Sequence, residues 1–147
     1  MAVTWDYDNP YLGKFVVNKV HIDELDHTNN QVYASWCEKL AWDHSRELGL
    51  EACHYKQLKR AMAIHEANYN YLLPSFCGDD IIAATWLTAS DNRLTMERCF
   101  QMRLQSSGKC LFRGQWKLIC INLETNKPAR LPKEFVDIYL PHVVKPI

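Results

Sequence analysis

One stretch of the chain, Asn30–Leu48, has the residue spacing of a long amphipathic helix. Hydrophobic side chains and one histidine recur every three or four residues, at Val32, Tyr33, Trp36, Cys37, Leu40, Ala41, His44 and Leu48. This spacing puts them on one helix face, and the Gly49 that follows is typical of a helix end. At about 1.5 Å per residue the helix would be about 28 Å long. The rest of the fold must therefore cover one long apolar helix face.

The sequence on both sides of this helix has the alternating pattern of β-strands. One strand is predicted before the helix and four after it, over residues 14–21, 60–72, 80–89, 94–104 and 110–123. The alternation in 94–104 predicts a sheet with one solvent-exposed face. A short helix is predicted over 131–140, bounded by Pro132 and Pro141. This order of elements predicts an α+β fold, in which a five-stranded antiparallel sheet wraps around one central helix.

The composition limits the classes of function. A length of 147 residues with 48% hydrophobic content predicts a single domain over 1–147. Lys plus Arg and Asp plus Glu both total 17, so no basic excess favours nucleic acid. No apolar run reaches the roughly 20 residues that span a bilayer, and residues 1–10 are unlike a secretory signal. We therefore expect a cytoplasmic protein that binds neither nucleic acid nor membrane.

The six cysteines show no paired spacing, and no two histidines have the spacing of metal ligands. Cytosolic cysteines without such spacing usually behave as small hydrophobic side chains. We therefore expect reduced, mostly buried thiols, without a metal site or a disulfide.

Polar residues crowd the segment 21–30, directly before the long helix. It contains the carboxylates Asp23, Glu24 and Asp26 and the adjacent amides Asn29 and Asn30. One interpretation is that these side chains only cap the helix, because the first N–H groups of a helix need acceptors. The other is that the positive end of the helix dipole polarises a substrate carbonyl there. The residue types alone leave both open.

Two motifs resemble the acyl-CoA thioesterases related to 4-hydroxybenzoyl-CoA thioesterase. The first is Asp23, three residues, and then His27-x-Asn29-Asn30-x-x-Tyr33. The second, over 71–79, is similar to a Tyr-Leu-x-Pro segment that ends in an aromatic residue, Gly and Asp, with Cys77 interposed. The order and spacing of both motifs agree with that family, whose members have the hot-dog fold. The chain departs from the pattern at Asp26, where relatives usually carry glycine.

The resemblance implies hydrolysis of an acyl-CoA thioester to the free acid and CoA. Asp23 occupies the position of the catalytic carboxylate and would act as general base or as nucleophile. Backbone N–H groups over 28–31 would stabilise the oxyanion, and Asn30 would orient the turn. His27 matches the family histidine, which either protonates the leaving thiolate or locks the turn by a hydrogen bond. Asp23, His27 and Asn30 are thus the catalytic candidates.

The resemblance also implies a substrate site and an assembly. Candidate substrate-binding residues are Asn29, Tyr33, Glu66, Arg60 and Arg93, the two arginines as partners for CoA phosphates. Family members pair as homodimers, often as dimers of dimers, and place each site between subunits. The resemblance implies no cofactor. Three alternatives stay open: a non-catalytic acyl-CoA-binding module, an acyl-ACP thioesterase, and a hot-dog dehydratase.

Overall fold

The computed structural model describes residues 4–145, which form five strands and three α-helices. In chain order these are β1 (Tyr11–Val16), α1 (Asn30–Leu48), α2 (Ala52–Leu58), β2 (Arg60–Tyr71), β3 (Asp80–Ser90), β4 (Thr95–Leu104), β5 (Cys110–Asn122) and α3 (Lys133–Tyr139). Single 3₁₀ turns lie at Lys19–His21 and Leu140–His142. No helix within 4–145 combines the length and the apolar character needed to cross a membrane.

The strands form one antiparallel sheet in the order β1-β3-β4-β5-β2. The sheet packs against one side of α1, so the predicted five-stranded sheet around a central helix is confirmed. Gly13 on β1 allows close approach, because a Cβ there would lie 2.7 Å from Leu40 Cδ1 of α1. The edge strands are β1 and β2, and β2 has a bulge between Ile64 and Glu66.

The central helix begins and ends where its sequence predicts. The Asn29 side chain accepts the Gln31 N–H at its start, and Gly49 ends it with φ 109°, in the left-handed region. The buried face carries Tyr33, Trp36, Cys37, Leu40, Ala41 and His44 of the predicted series, together with Ser45. The sequence pattern therefore identifies the helix face that meets the sheet.

Two local predictions are wrong. The first strand ends at Val16 and not near residue 21, because the His21 N–H donates to the Asn18 carbonyl (2.9 Å) and closes a 3₁₀ turn. The Asn18 N–H caps this turn by donating to His21 Nδ1 (2.9 Å). The helix α2 was not predicted, since seven residues give too few apolar repeats to show a period. The short helix predicted over 131–140 is present as α3.

The prediction that one face of the sheet is exposed to solvent is also partly wrong. The N-terminal segment crosses the outer face of β3 and β4, where Trp5 and Tyr7 pack on Trp86 with ring centroids 6.1 and 5.2 Å apart. The Asp6 N–H donates to Gln101 Oε1 (3.0 Å), so this outward-facing glutamine is buried. Alternation along a strand cannot show that another part of the chain covers the polar face.

The cysteines are free thiols, but fewer are buried than expected. Cys37 and Cys120 are buried, whereas Cys53 and Cys77 are exposed. Burial raises the pKa of the Cys37 thiol well above its usual value, so this side chain stays protonated and acts as a small hydrophobic group.

Candidate active site

The turn before α1 is closed by the Asp23 carboxylate. Asp23 Oδ1 accepts the backbone N–H groups of Leu25 (2.8 Å) and His27 (3.2 Å). Backbone bonds join the Asp23 N–H to the His27 carbonyl (2.8 Å) and the Asp26 N–H to the Asp23 carbonyl (3.1 Å). Asp26 has φ 63°, so this aspartate adopts the left-handed conformation in which glycine is favoured. Glycine is the residue that relatives usually carry at this position.

Buried hydroxyl groups connect the two sequence motifs. Thr28 Oγ1 lies 2.6 Å from Ser75 Oγ, which lies 2.7 Å from the Tyr33 hydroxyl. The Thr28 N–H also donates to the Ser75 carbonyl (2.9 Å). Burial raises the pKa of the Tyr33 phenol, which therefore remains a neutral hydroxyl. The segment around Ser75 thus holds the turn that carries Asp23.

A cavity of about 300 Å³ lies between this turn and the end of β2. It is lined by Asp23, Leu25, His27, Thr28, Asn30, Tyr33, Tyr71, Leu72, Leu73 and Pro74. Three residues proposed as catalytic, Asp23, His27 and Asn30, therefore border one space together with Tyr33. The His27 ring meets the ring of Phe76 edge-on at 5.2 Å. The cavity thus combines one carboxylate, one imidazole and an apolar wall.

Most N–H groups at the start of α1 already have acceptors. Those of Thr28 and Asn29 donate to the carbonyls of Ser75 and His21, and those of Gln31 and Val32 donate to Asn29. Within the described range, the Asn30 N–H is the one in this stretch with no protein acceptor. Of the four N–H groups over 28–31, the Asn30 N–H is therefore the one that remains free to bind another acceptor.

The other substrate-binding candidates lie away from this cavity in the protomer. Asn29 caps α1 and borders a separate surface hollow. Glu66 is exposed and pairs with Lys117 (3.3 Å). Arg60 begins β2, eleven residues before Tyr71, which corresponds to roughly 35 Å of extended strand. Arg93 is exposed in the turn between β3 and β4.

A second cavity, of about 180 Å³, contains a buried arginine that the sequence analysis missed. It lies between the C-terminal half of α1 and the sheet, and Arg98 of β4 lines it. Arg98 Nη1 donates to His44 Nδ1 (2.9 Å) and to Thr85 Oγ1 (3.1 Å). The sequence carried one signal: Arg98 stands between Met96 and Phe100 in the inward-facing series of the alternating strand.

One group of side chains could hold a metal ion by proximity. Donor atoms of Glu51, Cys53 and His54 lie within 4.8 Å of one another at the start of α2. However, His54 Nδ1 accepts the Glu51 N–H (2.9 Å), so this ring caps the helix. Cys53 and Glu51 are exposed, and capping accounts for the arrangement.

Comparison with models of protein families identifies the family of this chain. The model of the thioesterase-like superfamily matches residues 17–138, and the chain belongs to this superfamily. A comparison with curated proteins found no match. Family membership supports thioester hydrolysis in general, whereas the acyl group and the carrier are separate questions.

Solved structures show the same architecture. A 1,4-dihydroxy-2-naphthoyl-CoA thioesterase from Synechocystis matches with a TM-score of 0.80 and 16% identity, over 90% of this chain and 96% of the other. The probable thioesterase YbaW from Escherichia coli gives 0.75 and 23%, over 90% and 98%. A protein from Staphylococcus aureus, solved in complex with CoA, gives 0.81 and 15%, over 92% and 86%. At these identities the likenesses show the fold, and the predicted hot-dog fold is confirmed.

Proposed function

We propose that the chain hydrolyses an acyl-CoA thioester to a free acid and CoA, with Asp23 as the reacting carboxylate. The observation that carries the proposal is the position of Asp23 on the cavity at the start of α1. Oδ1 accepts two N–H groups of its own turn, while among residues 4–145 Oδ2 accepts no protein hydrogen bond. One oxygen thus fixes the carboxylate, and the other is available for a water molecule or a thioester carbonyl.

Two routes use this geometry. As a general base, Asp23 takes a proton from water as the water oxygen attacks the thioester carbon. As a nucleophile, Oδ2 attacks that carbon, the C–S bond breaks, and water hydrolyses the mixed anhydride. A rapidly quenched single turnover, with substrate labelled in its acyl group, separates them. Acyl label bound covalently to the protein indicates the nucleophile, whereas label that passes directly into the free acid indicates the general base.

Both routes generate negative charge on the thioester oxygen. The Asn30 N–H is the donor that we assign to this oxyanion, because its neighbours are already hydrogen-bonded. The positive end of the α1 dipole adds to the stabilisation. His27 borders the same cavity and would protonate the departing thiolate, while its backbone N–H helps to fix Asp23. The two roles suggested for His27 are therefore compatible.

Arg60, one of the two arginines proposed to bind CoA phosphates, would reach an Asp23 cavity only in a second copy of the chain. β2 is a twelve-residue edge strand, and within the described residues its only strand partner is β5. Such an edge is a template for pairing, and Ile64 on it is 43% exposed. Antiparallel pairing about a twofold axis would bring Arg60 of the partner subunit towards Tyr71 and the Asp23 cavity. We therefore propose a homodimer with one site at each end of the joined strands, and dimers that can associate further.

Light scattering tests the assembly. We expect a dimer or a tetramer in solution. A monomer at the concentrations where the protein is active would contradict both the paired β2 strands and the involvement of Arg60 in the site.

The Asp23→Asn variant tests the activity. Asparagine keeps an Oδ1 acceptor for the turn but removes the base, so we expect thiol release from acyl-CoA to fall about 100- to 10,000-fold. Substrate affinity should persist, because binding contacts are unchanged. The matched control is Asp26→Asn, which removes a neighbouring exposed carboxylate and should keep nearly the parent rate.

The same assay addresses the alternatives. Acyl chains of different length and shape should be tested on both CoA and acyl carrier protein. If the parent binds acyl-CoA without releasing thiol, the chain is a binding module and the proposal is wrong. Turnover restricted to the carrier protein would replace CoA as the substrate carrier but keep the assignment of Asp23.

A further inference from the structure

The cavity beneath the C-terminal half of α1 contains a buried cation without a counter-charge. Arg98 is only 3% exposed, yet in the part of the chain that the structure describes it forms no salt bridge. Its hydrogen bonds there both come from Nη1, to His44 Nδ1 and Thr85 Oγ1. A guanidinium has five N–H donors. Buried charges in proteins are normally paired, so this arrangement is incomplete.

The buried titratable groups around Arg98 are neutral at neutral pH. Burial raises the pKa of the Tyr55 and Tyr139 phenols and of the Cys37 thiol, so none of them supplies an anion. Burial, and next the Arg98 charge, lower the pKa of His44 to about 3, and its Nδ1 serves as an acceptor. Burial also lowers the pKa of Arg98, but only to about 10. The cation therefore faces neutral partners.

The cavity has an apolar body and a polar region. Its apolar lining comprises Met62, Ile64, Met96, Trp116 and Leu118. Three hydroxyl groups form the polar region, and the Tyr139 hydroxyl is hydrogen-bonded to both Ser45 Oγ (3.0 Å) and the Tyr55 hydroxyl. Glu38 also borders the cavity but is exposed to solvent and forms no ion pair within 4–145. The volume of about 180 Å³ is below that of pockets for drug-sized ligands.

We propose that this cavity is a binding site for a small organic carboxylate, whose carboxylate group pairs with Arg98 and whose ring or short chain lies along the apolar lining. Arginine pairs with carboxylates through parallel hydrogen bonds, which would use its remaining donors. The inference does not depend on hydrolysis by Asp23. The carboxylate has two possible sources: a second carboxylate at the far end of an acyl group, or a free acid.

Calorimetric titration of the parent protein tests the site directly. The probes are benzoate and hexanoate, with benzyl alcohol and hexanol as counterparts that have the same body without charge. We expect both carboxylates to bind about 10- to 100-fold more tightly than the alcohols, the range of a hydrogen bond to a charged group. The absence of carboxylate binding up to about 10 mM, or equal affinity for the alcohols, overturns the proposal.

Two variants locate the binding. Arg98→Gln keeps a donor for His44 and removes the charge, and we expect carboxylate affinity to fall about 10- to 100-fold. The matched control is Arg46→Gln, an exposed arginine of α1 that pairs with Asp43. Met62→Trp fills the cavity and leaves Arg98 in place, so it tests whether the carboxylate binds in this cavity if Arg98→Gln does not fold. Unchanged affinity in a folded Arg98→Gln or in Met62→Trp overturns the assignment.

Hydrolysis assays then identify the source of the carboxylate. If the acyl group supplies it, the thioester must lie at the Asp23 cavity of the partner subunit, because about 21 Å of helix separates Asn30 from His44 within one protomer. The proposed pairing of β2 brings that cavity towards Met62, which lines the Arg98 cavity. Glutaryl-CoA should then be a better substrate than pentanoyl-CoA, and Arg98→Gln should remove the preference. If a free acid supplies it, the two thioesters should react alike, and hexanoate should bind without competing with them. The titrations stand even if the chain hydrolyses neither thioester, so failure of the proposed activity and failure of this site are distinguishable.

Discussion

The two ends of α1 carry polar groups in opposite environments. At the N-terminal end, Asp23, His27 and Asn30 border an open cavity and are held mainly by hydrogen bonds within their own turn. In the C-terminal half, His44 and Arg98 are buried and are joined across 54 positions of sequence. The first end exposes polar groups on a fixed turn, whereas the second surrounds a cation with neutral side chains. The proposed reaction site and the proposed carboxylate site thus lie at opposite ends of one helix.

At the N-terminal end the buried Thr28 hydroxyl holds the turn to Ser75, and its removal should give the largest effect on stability. Thr28→Val keeps the side-chain shape but removes the hydrogen bonds of Thr28 Oγ1 to Ser75 Oγ (2.6 Å) and to the Ser75 carbonyl (3.2 Å). We expect the free energy of unfolding to fall by about 2 kcal/mol, at about 1 kcal/mol for each hydrogen bond that is lost. Urea denaturation measures this. Thr28→Ser, which keeps the hydroxyl, is the control, and equal stability of Thr28→Val would mean that local bonds alone hold the turn.

The C-terminal half should determine how stability responds to acid. Burial, and next the Arg98 charge, lower the pKa of His44 from 6.5 to about 3. Below pH 6.5 the unfolded chain takes up a proton at this histidine and the folded chain does not, so stability is complete above that pH and declines towards pH 3. We expect a loss of about 1–2 kcal/mol between pH 7 and pH 5.

The variant His44→Gln removes this titration and keeps an acceptor for Arg98. Its stability should change less between pH 7 and pH 5 than that of the parent. The exposed His65→Gln is the control and should follow the parent curve. If His44→Gln follows it as well, the acid response does not originate in the buried half of α1.

The same contrast explains what the sequence could predict. The turn around Asp23 consists of consecutive residues whose hydrogen bonds are local, so a motif describes it, and the spacing of α1 predicts which face meets the sheet. Arg98 is different, because its environment comes from α1, β3 and β4 and exists only after folding. An arginine in an alternating strand suggests an exposed position unless its place in the inward series is counted. Trp5 and Tyr7 are a further case, since coverage of the outer sheet face depends on where the N-terminal segment runs.

A smaller effect separates the structural role of Asp23 from its proposed chemical role. Asp23→Ala removes the acceptor of the Leu25 and His27 N–H groups, and we expect it to destabilise the protein by about 1 kcal/mol, as when a capping side chain is lost. Asp23→Asn keeps that acceptor and should match the parent in denaturation, while both variants lose thiol release. If Asp23→Asn is as unstable as Asp23→Ala, the carboxylate charge itself holds the turn. The loss of activity in Asp23→Asn would then follow from a displaced turn as readily as from a missing base.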